Sequence, residues 1–119
     1  MVKHFDDDPT VETRALQIWQ ILIARAANRQ TITYTELAKI IGYKKTGQFF
    51  AQLLDPIRVF CMNNGLPALT SLVIQKDTGR PGAGLQNVSD PNAEREEVFR
   101  YPWFKIFPPS RKQLDKVQD

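Results

Sequence analysis

Thr31-Ile32-Thr33-Tyr34-Thr35-Glu36-Leu37-Ala38-Lys39-Ile40-Ile41-Gly42 is the stretch on which the reading of the fold turns. Thr33 and Glu36 stand three apart, the spacing of a capping box, in which the hydroxyl accepts from a first-turn amide and the carboxylate reaches back to the cap's own N–H. Ile32 before the cap and Leu37 at the fourth helical position are placed to pack on each other as a hydrophobic staple. A helix over Tyr34–Ile41 follows, and Gly42 supplies the left-handed residue that stops it. Thr31-Ile32-Thr33 is β-branched but short, which predicts an edge strand leading into the cap.

Toward the N-terminus, Ala15, Ile18, Trp19, Leu22, Ile23 and Ala26 recur at the i, i+3, i+4, i+7 spacing of one buried helical face. Asp8-Pro9 or Thr10 starts this helix, because a short oxygen-bearing side chain satisfies free amides and proline is tolerated in the first turn; Asn28 ends it. Toward the C-terminus, Thr46 to Leu54 places Phe49, Phe50, Leu53 and Leu54 on one side of a second short helix. Asp55-Pro56 repeats the cap-plus-proline start, so the spacing predicts either two helices meeting there or one that bends, ending at Asn63-Asn64-Gly65.

Leu69 to Ile74 is an apolar, partly β-branched run followed by the turn residues Lys76-Asp77-Thr78-Gly79, which predicts a strand and then a turn. Arg80-Pro81-Gly82-Ala83-Gly84 is then the return limb of a hairpin or a close-approach loop. Asp90-Pro91 opens a last amphipathic helix through Val98 and Phe99 toward Trp103. The chain from Pro108 is proline-led and charged, with a short helix capped by Ser110.

The 119 residues suit one domain: an acidic tail over 1–8, a core over 9–104 and a mobile tail over 105–119. Hydrophobic residues at 42% and charged residues at 24% are the proportions of a globular chain rather than a disordered one. No apolar run approaches the length needed to span a bilayer, and the Asp6-Asp7-Asp8 start is unlike a signal peptide, so a cytoplasmic location with no membrane partner is expected. Cys61 is the only cysteine and His4 the only histidine, which excludes an internal disulfide and argues against a Cys/His zinc site. No cofactor or metal is expected. Asp6-Asp7-Asp8 lacks the glycine-containing loop of a calcium site, and Gly79 to Gly84 lacks the lysine-serine/threonine end of a phosphate-binding loop.

The net charge is +3, and its distribution says more than its size. Between Thr31 and Arg80 stand Lys39, Lys44, Lys45, Arg58, Lys76 and Arg80 against only Glu36, Asp55 and Asp77. The element order is helix, short strand, helix, turn, helix, strand, turn and glycine-rich limb. That order predicts a mainly α chain with a small β wing, a winged helix-turn-helix. In such readers the first turn of the second helix of the pair faces the major groove. Lys44, Lys45, Thr46, Gln48 and Gln52 fall there, where lysines suit phosphates and glutamine pairs with adenine. Lys76 and Arg80 fall where a wing touches the backbone or the minor groove. Tyr43, Phe49 and Phe50 are read as core, since aromatics at helical spacing are more often packed than stacked on bases. Cys61, on an apolar face with no histidine to activate it, reads as a buried inert thiol.

Thr31-Ile32-Thr33-Tyr34-Thr35-Glu36-Leu37-Ala38, then Leu66-Pro67-Ala68-Leu69, then Val73-Ile74 before Lys76-Asp77-Thr78-Gly79 and Gly82/Gly84, resembles the DNA-binding domain of the O6-alkylguanine-DNA alkyltransferases and alkyltransferase-like proteins. The resemblance covers about residues 15–85. It implies a DNA-binding domain without alkyl transfer, because the family's Pro-Cys-His-Arg acceptor segment reads Leu69-Thr70-Ser71-Leu72 here. A threonine or serine hydroxyl with no adjacent base is a poor acceptor. The run Leu54, Pro56-Ile57, Cys61, Gly65-Leu66-Pro67, Leu69-Thr70, Leu72-Val73, Gly79, Pro81-Gly82 and Gly84 also resembles small bacterial and phage winged-helix modules that stand alone or beside HNH nucleases. The histidines of an HNH site are missing, which implies the standalone, non-enzymatic form with duplex DNA as partner. The competing expectation is a small protein-binding factor, such as an immunity protein, antitoxin or inhibitor. Its surfaces would be the acidic head around Asp6 and the aromatic segment Trp103, Phe104 and Phe107.

Overall fold

The computed structural model describes residues 2–43, 48–75 and 91–115. Its centre is α1, Val11–Ala27, which starts where Thr10 accepts from the Thr13 amide and stops at Asn28. The apolar face read from the spacing points inward: Ala15, Ile18, Trp19, Leu22 and Ala26 are all buried, with Ile23 half-buried at the margin. Trp19 stands edge-on to Phe60 at 5.7 Å and to Trp103 at 5.6 Å, so one ring joins three parts of the chain. Beyond Asn28, Arg29 takes a left-handed φ of 55°, a position that favours glycine. Its side chain accounts for the choice. Arg29 Nη2 donates to Glu96 Oε2 at 2.6 Å, and the guanidinium lies 5.0 Å from the centre of the Phe99 ring.

The strand β1, Ile32–Thr33, leads directly into α2, Tyr34–Ile41. Thr33 accepts from the Glu36 amide as the cap spacing requires, and Leu37, Ala38 and Ile41 are buried. The reciprocal half of the expected box is replaced. Glu36 Oε2 accepts from Arg25 Nη2 at 3.2 Å, because α1 brings a cation within reach of its carboxylate. Gly42 closes the helix at φ 71°, and an added Cβ there would meet nothing within 4 Å. Replacing Gly42 by alanine therefore carries only the backbone cost, about 1 kcal/mol, which chemical denaturation should register without a change in the slope of the transition.

The next helix, α3, runs Gln48–Asn63 with Pro56 inside it, so of the two alternatives read from Asp55-Pro56 a single helix is the one found. Phe50, Leu53, Leu54, Ile57 and Cys61 form an unbroken buried stripe across the proline. A mid-helix proline costs about 3 kcal/mol, whereas each fully buried apolar side chain contributes about 1.5–3 kcal/mol. The stripe outweighs the missing hydrogen bond. Asp55, released from capping, lies 3.4 Å from Arg58.

The run expected as a strand from Leu69 to Ile74 divides in two. Leu69–Leu72 is a 3-10 turn, and only Val73–Ile74 is extended, as β2. The four turn residues are all buried. β2 pairs with β1 in parallel, Ile32 against Val73 and Thr33 against Ile74. The return limb expected at Arg80–Gly84 lies outside the described residues.

After this comes α4, Pro91–Arg100, which fastens the 3-10 turn from the side: Glu94 accepts from the Ala68 amide and Arg95 donates to the Ser71 carbonyl. The helix ends before Pro102, short of the expected limit, and Trp103 then folds into the core with its Nε1 donating to the Val98 carbonyl at 2.8 Å. The last helix, α5, is Arg111–Leu114, capped by Ser110 and Gln113 reciprocally. The segment expected as a mobile tail from residue 105 is packed through Asp115, and residues 116–119 lie outside the described residues. Leu114 is 1% exposed, against α1 and α3, and Arg111 Nη1 donates to Asp8 Oδ2 at 2.6 Å. The described chain is thus mainly helical, with a small two-stranded parallel sheet.

Candidate functional site

The C-terminal end of α2 is held by Arg14, whose side chain is only 11% exposed. Its Nη1 donates to the Ile41 carbonyl at 3.1 Å and to Gln17, and its Nη2 donates to Asp6 Oδ1 at 2.8 Å. One guanidinium thereby ties α1, the C-terminal end of α2 and the acidic head together. In the acidic head, Asp6 faces Arg14, Asp7 accepts from the His4 amide, and Asp8 faces Arg111. Three carboxylates go to three different partners.

Of the residues expected to meet DNA, Lys44, Lys45, Thr46, Lys76 and Arg80 lie outside the described residues. Gln48 is the first residue of α3. Gln52 is exposed and opens onto a groove beside Asp55, a setting that carboxylate charge makes unfavourable for phosphate. Lys39 on α2 is exposed, and Glu36, the acid nearest to it on that helix, is already paired with Arg25. Tyr43 and Phe50 pack on each other at 5.7 Å, with Phe50 buried, in keeping with their reading as core.

Thr70 and Ser71, read in place of the expected acceptor segment, are 5% and 0% exposed, and neither hydroxyl has a hydrogen-bond partner among the described residues. They are enclosed between α1, α3 and α4. Cys61 is 2% exposed, and burial pushes its thiol up to about 11, partly offset by a backbone hydrogen bond at Leu69. Because the folded value lies above the ordinary one, the protonated thiol is favoured through neutral pH. Its contribution to stability is present below about 9 and is lost as pH rises through about 11. Two pKa units lower the thiolate fraction about 100-fold, so Cys61 should react with an aromatic disulfide reagent at least that much more slowly in the native chain than in urea.

Two further surfaces stand out, the first not named from the sequence and the second expected from it. One is the groove of about 390 Å³ along α3, floored by Val11, Pro56, Val59, Phe60 and Leu114. The other is the aromatic segment near the C-terminus, where Phe104 is 66% and Phe107 95% exposed, while Trp103, expected with them, is buried. The signal for the groove was present in Gln52, Asp55, Val59 and Asn63 at helical spacing. Its second wall comes from α5, which no local pattern places beside α3. Comparison of the chain with family models, curated proteins and solved structures finds no match.

Proposed function

We propose that this chain is a non-enzymatic DNA-binding protein built on a winged helix-turn-helix, alkyltransferase-like in fold and belonging to a bacterial or phage defence or mobile-element system. The observation that carries the reading is the succession of α2, a left-handed stop at Gly42 and α3, with the β1–β2 pair beside them. In helix-turn-helix readers the second helix presents its N-terminal residues to base edges while the first crosses the backbone. Lys44, Lys45, Thr46 and Gln48 occupy that stretch in the sequence, and from Gly42 to Leu54 there is no acidic residue to repel phosphate. Lys76 and Arg80 follow β2, where a wing adds backbone contacts. Gln52 is left out of the surface because it shares its groove with Asp55. Alkyl transfer is not proposed, since Thr70 is buried.

The test is a titration of fluorescent duplex DNA. Four phosphate contacts give a log–log salt slope of about −3.6, so affinity should fall about 150-fold between 50 and 200 mM salt. Absence of binding at low salt to both duplex and single-stranded DNA would end the reading. A second reading, a protein-binding factor, is favoured by one observation, the exposure of Phe104 and Phe107 together. Replacing both by serine would abolish partner capture under that reading and leave DNA affinity unchanged under the first.

A further inference from the structure

The segment from Trp103 to Pro109 alternates side chains that enter the core with side chains that stay outside. Trp103 is buried with its indole donating to the Val98 carbonyl, Ile106 packs against the core, and Pro109 is buried. Between these anchors Phe104 and Phe107 are left 66% and 95% exposed. Pro108 and Pro109 fix their own φ and disfavour the helical region for the residue before each, so the backbone that carries Phe107 is stiff. Turning either ring inward would draw an anchor out of the core.

Three residues reach at most about 11 Å, so the two rings belong to one patch. Beside Phe104 that patch holds a shallow groove of about 250 Å³, lined by Ile23 and Ala27 of α1 with Tyr101 and Pro102. Knob and hollow lie side by side. The rim carries one charge of each sign. Lys105 lines the groove, and Glu97 stands one helical turn before Tyr101, on the same side of α4. Both are exposed, and neither has an ion pair among the described residues, whereas the neighbouring Glu96 already takes Arg29 and Arg100.

A surface that carries its own complement in shape and in charge suits a two-fold axis, because the same residues then meet in both directions. A full phenylalanine offers about 200 Å², so the two rings present about 320 Å² per copy. Burying them from two copies, with a like area of receiving surface, removes about 1,300 Å² from water, inside the range of stable interfaces that begins near 1,200 Å². Nucleic acid fits less well, since Glu97 would oppose its phosphates.

We infer that this patch is the interface of a symmetric dimer of the chain. Phe104 of each copy enters the groove of the other, Phe107 is buried alongside it, and Lys105 meets the partner's Glu97. This does not rest on the DNA reading.

Sedimentation equilibrium of the full chain from about 5 to 300 μM tests it. The mean mass should climb from one chain to two and stop there, with a Kd of about 10 μM, as an interface near the lower size limit gives. Phe104→Ser/Phe107→Ser should associate at least 30-fold more weakly at an unchanged thermal midpoint, because both rings are already in water. Glu97→Lys and Lys105→Glu should each weaken association about fivefold by setting like charges together, and the chain with both changes should recover it. A single-chain mass at every concentration overturns the inference, even if the patch then captures a different protein. So does growth beyond two chains, because a two-fold contact closes at two. A dimer indifferent to the serine variant, or a charge-swapped chain as weak as its single variants, overturns it equally. The readout is mass, so failure of the DNA titration leaves it standing.

Discussion

Replacing Lys44 and Lys45 together by alanine is expected to weaken duplex binding about 60-fold at 0.1 M salt and to flatten the salt slope by about 1.8. Each lysine on a phosphate contributes about 0.9 to the slope, which is close to a factor of 8 at 0.1 M, and two independent contacts multiply. The loss should be the same on any duplex, because phosphate contacts carry no sequence information. Gln48→Ala is the contrasting variant. A glutamine paired with adenine contributes about 1–3 kcal/mol of discrimination, so its removal should relax sequence preference and leave the slope in place. Anisotropy titrations of the three proteins on two unrelated duplexes at four salt concentrations separate the effects. An unchanged slope in the double variant would remove these lysines from the interface.

Replacing Trp19 by alanine should cost about 4 kcal/mol, within the 3–5 kcal/mol of large aromatic deletions and a third or more of the stability of a typical small domain. Trp19 is 1% exposed and meets both Phe60 on α3 and Trp103 after α4, so the vacated space cannot close by moving one helix. Trp19→Phe should behave differently. The indole Nε1 is buried with no acceptor among the described residues, and a buried unpaired donor costs about 1–3 kcal/mol, so removing it offsets much of the lost contact area. Urea denaturation should place Trp19→Phe within about 1.5 kcal/mol of the native chain. Equal losses for the two variants would mean that the indole N–H is satisfied after all, for instance by an internal water.

These two residues mark how far local pattern reaches. The inward face of α1 followed from a 3.6-residue period, and Trp19 belonged to it on spacing alone. That Phe60 and Trp103 close around the same ring did not follow, since those contacts join positions about 40 and 84 residues away. Arg29 is a similar case. A left-handed arginine has no local justification, but Glu96 and Phe99 on α4 receive its side chain, and Glu96 is held below the usual carboxylate range chiefly by its hydrogen bond from Arg29.

Where the reading of the strands and helix ends departed from the structure, tertiary packing overrode a local signal. Asp55-Pro56 has the form of a helix start and left two helices or one open, and the buried stripe from Phe50 to Cys61 carries a single α3 through it. Leu69–Leu72 has the composition of a strand, yet enclosure on every side, with Glu94 and Arg95 at its backbone, draws it into a 3-10 turn. Charge and proline content marked the segment after residue 105 as a tail, while Leu114, with Ile106 and the Arg111–Asp8 pair, ties it to the core.

Thr31 to Gly42 specified its own structure: the cap at Thr33, the helix Tyr34–Ile41 and the stop at Gly42 all appear where the residues place them. That agreement has a local cause, because caps, staples and a left-handed glycine act within one or two turns of chain. The partner of β1 is a different matter. Pairing Ile32 with Val73 in parallel, turning Glu36 from its own cap to Arg25, and setting α5 opposite α3 to make a groove are decided by segments that meet only after the chain has folded.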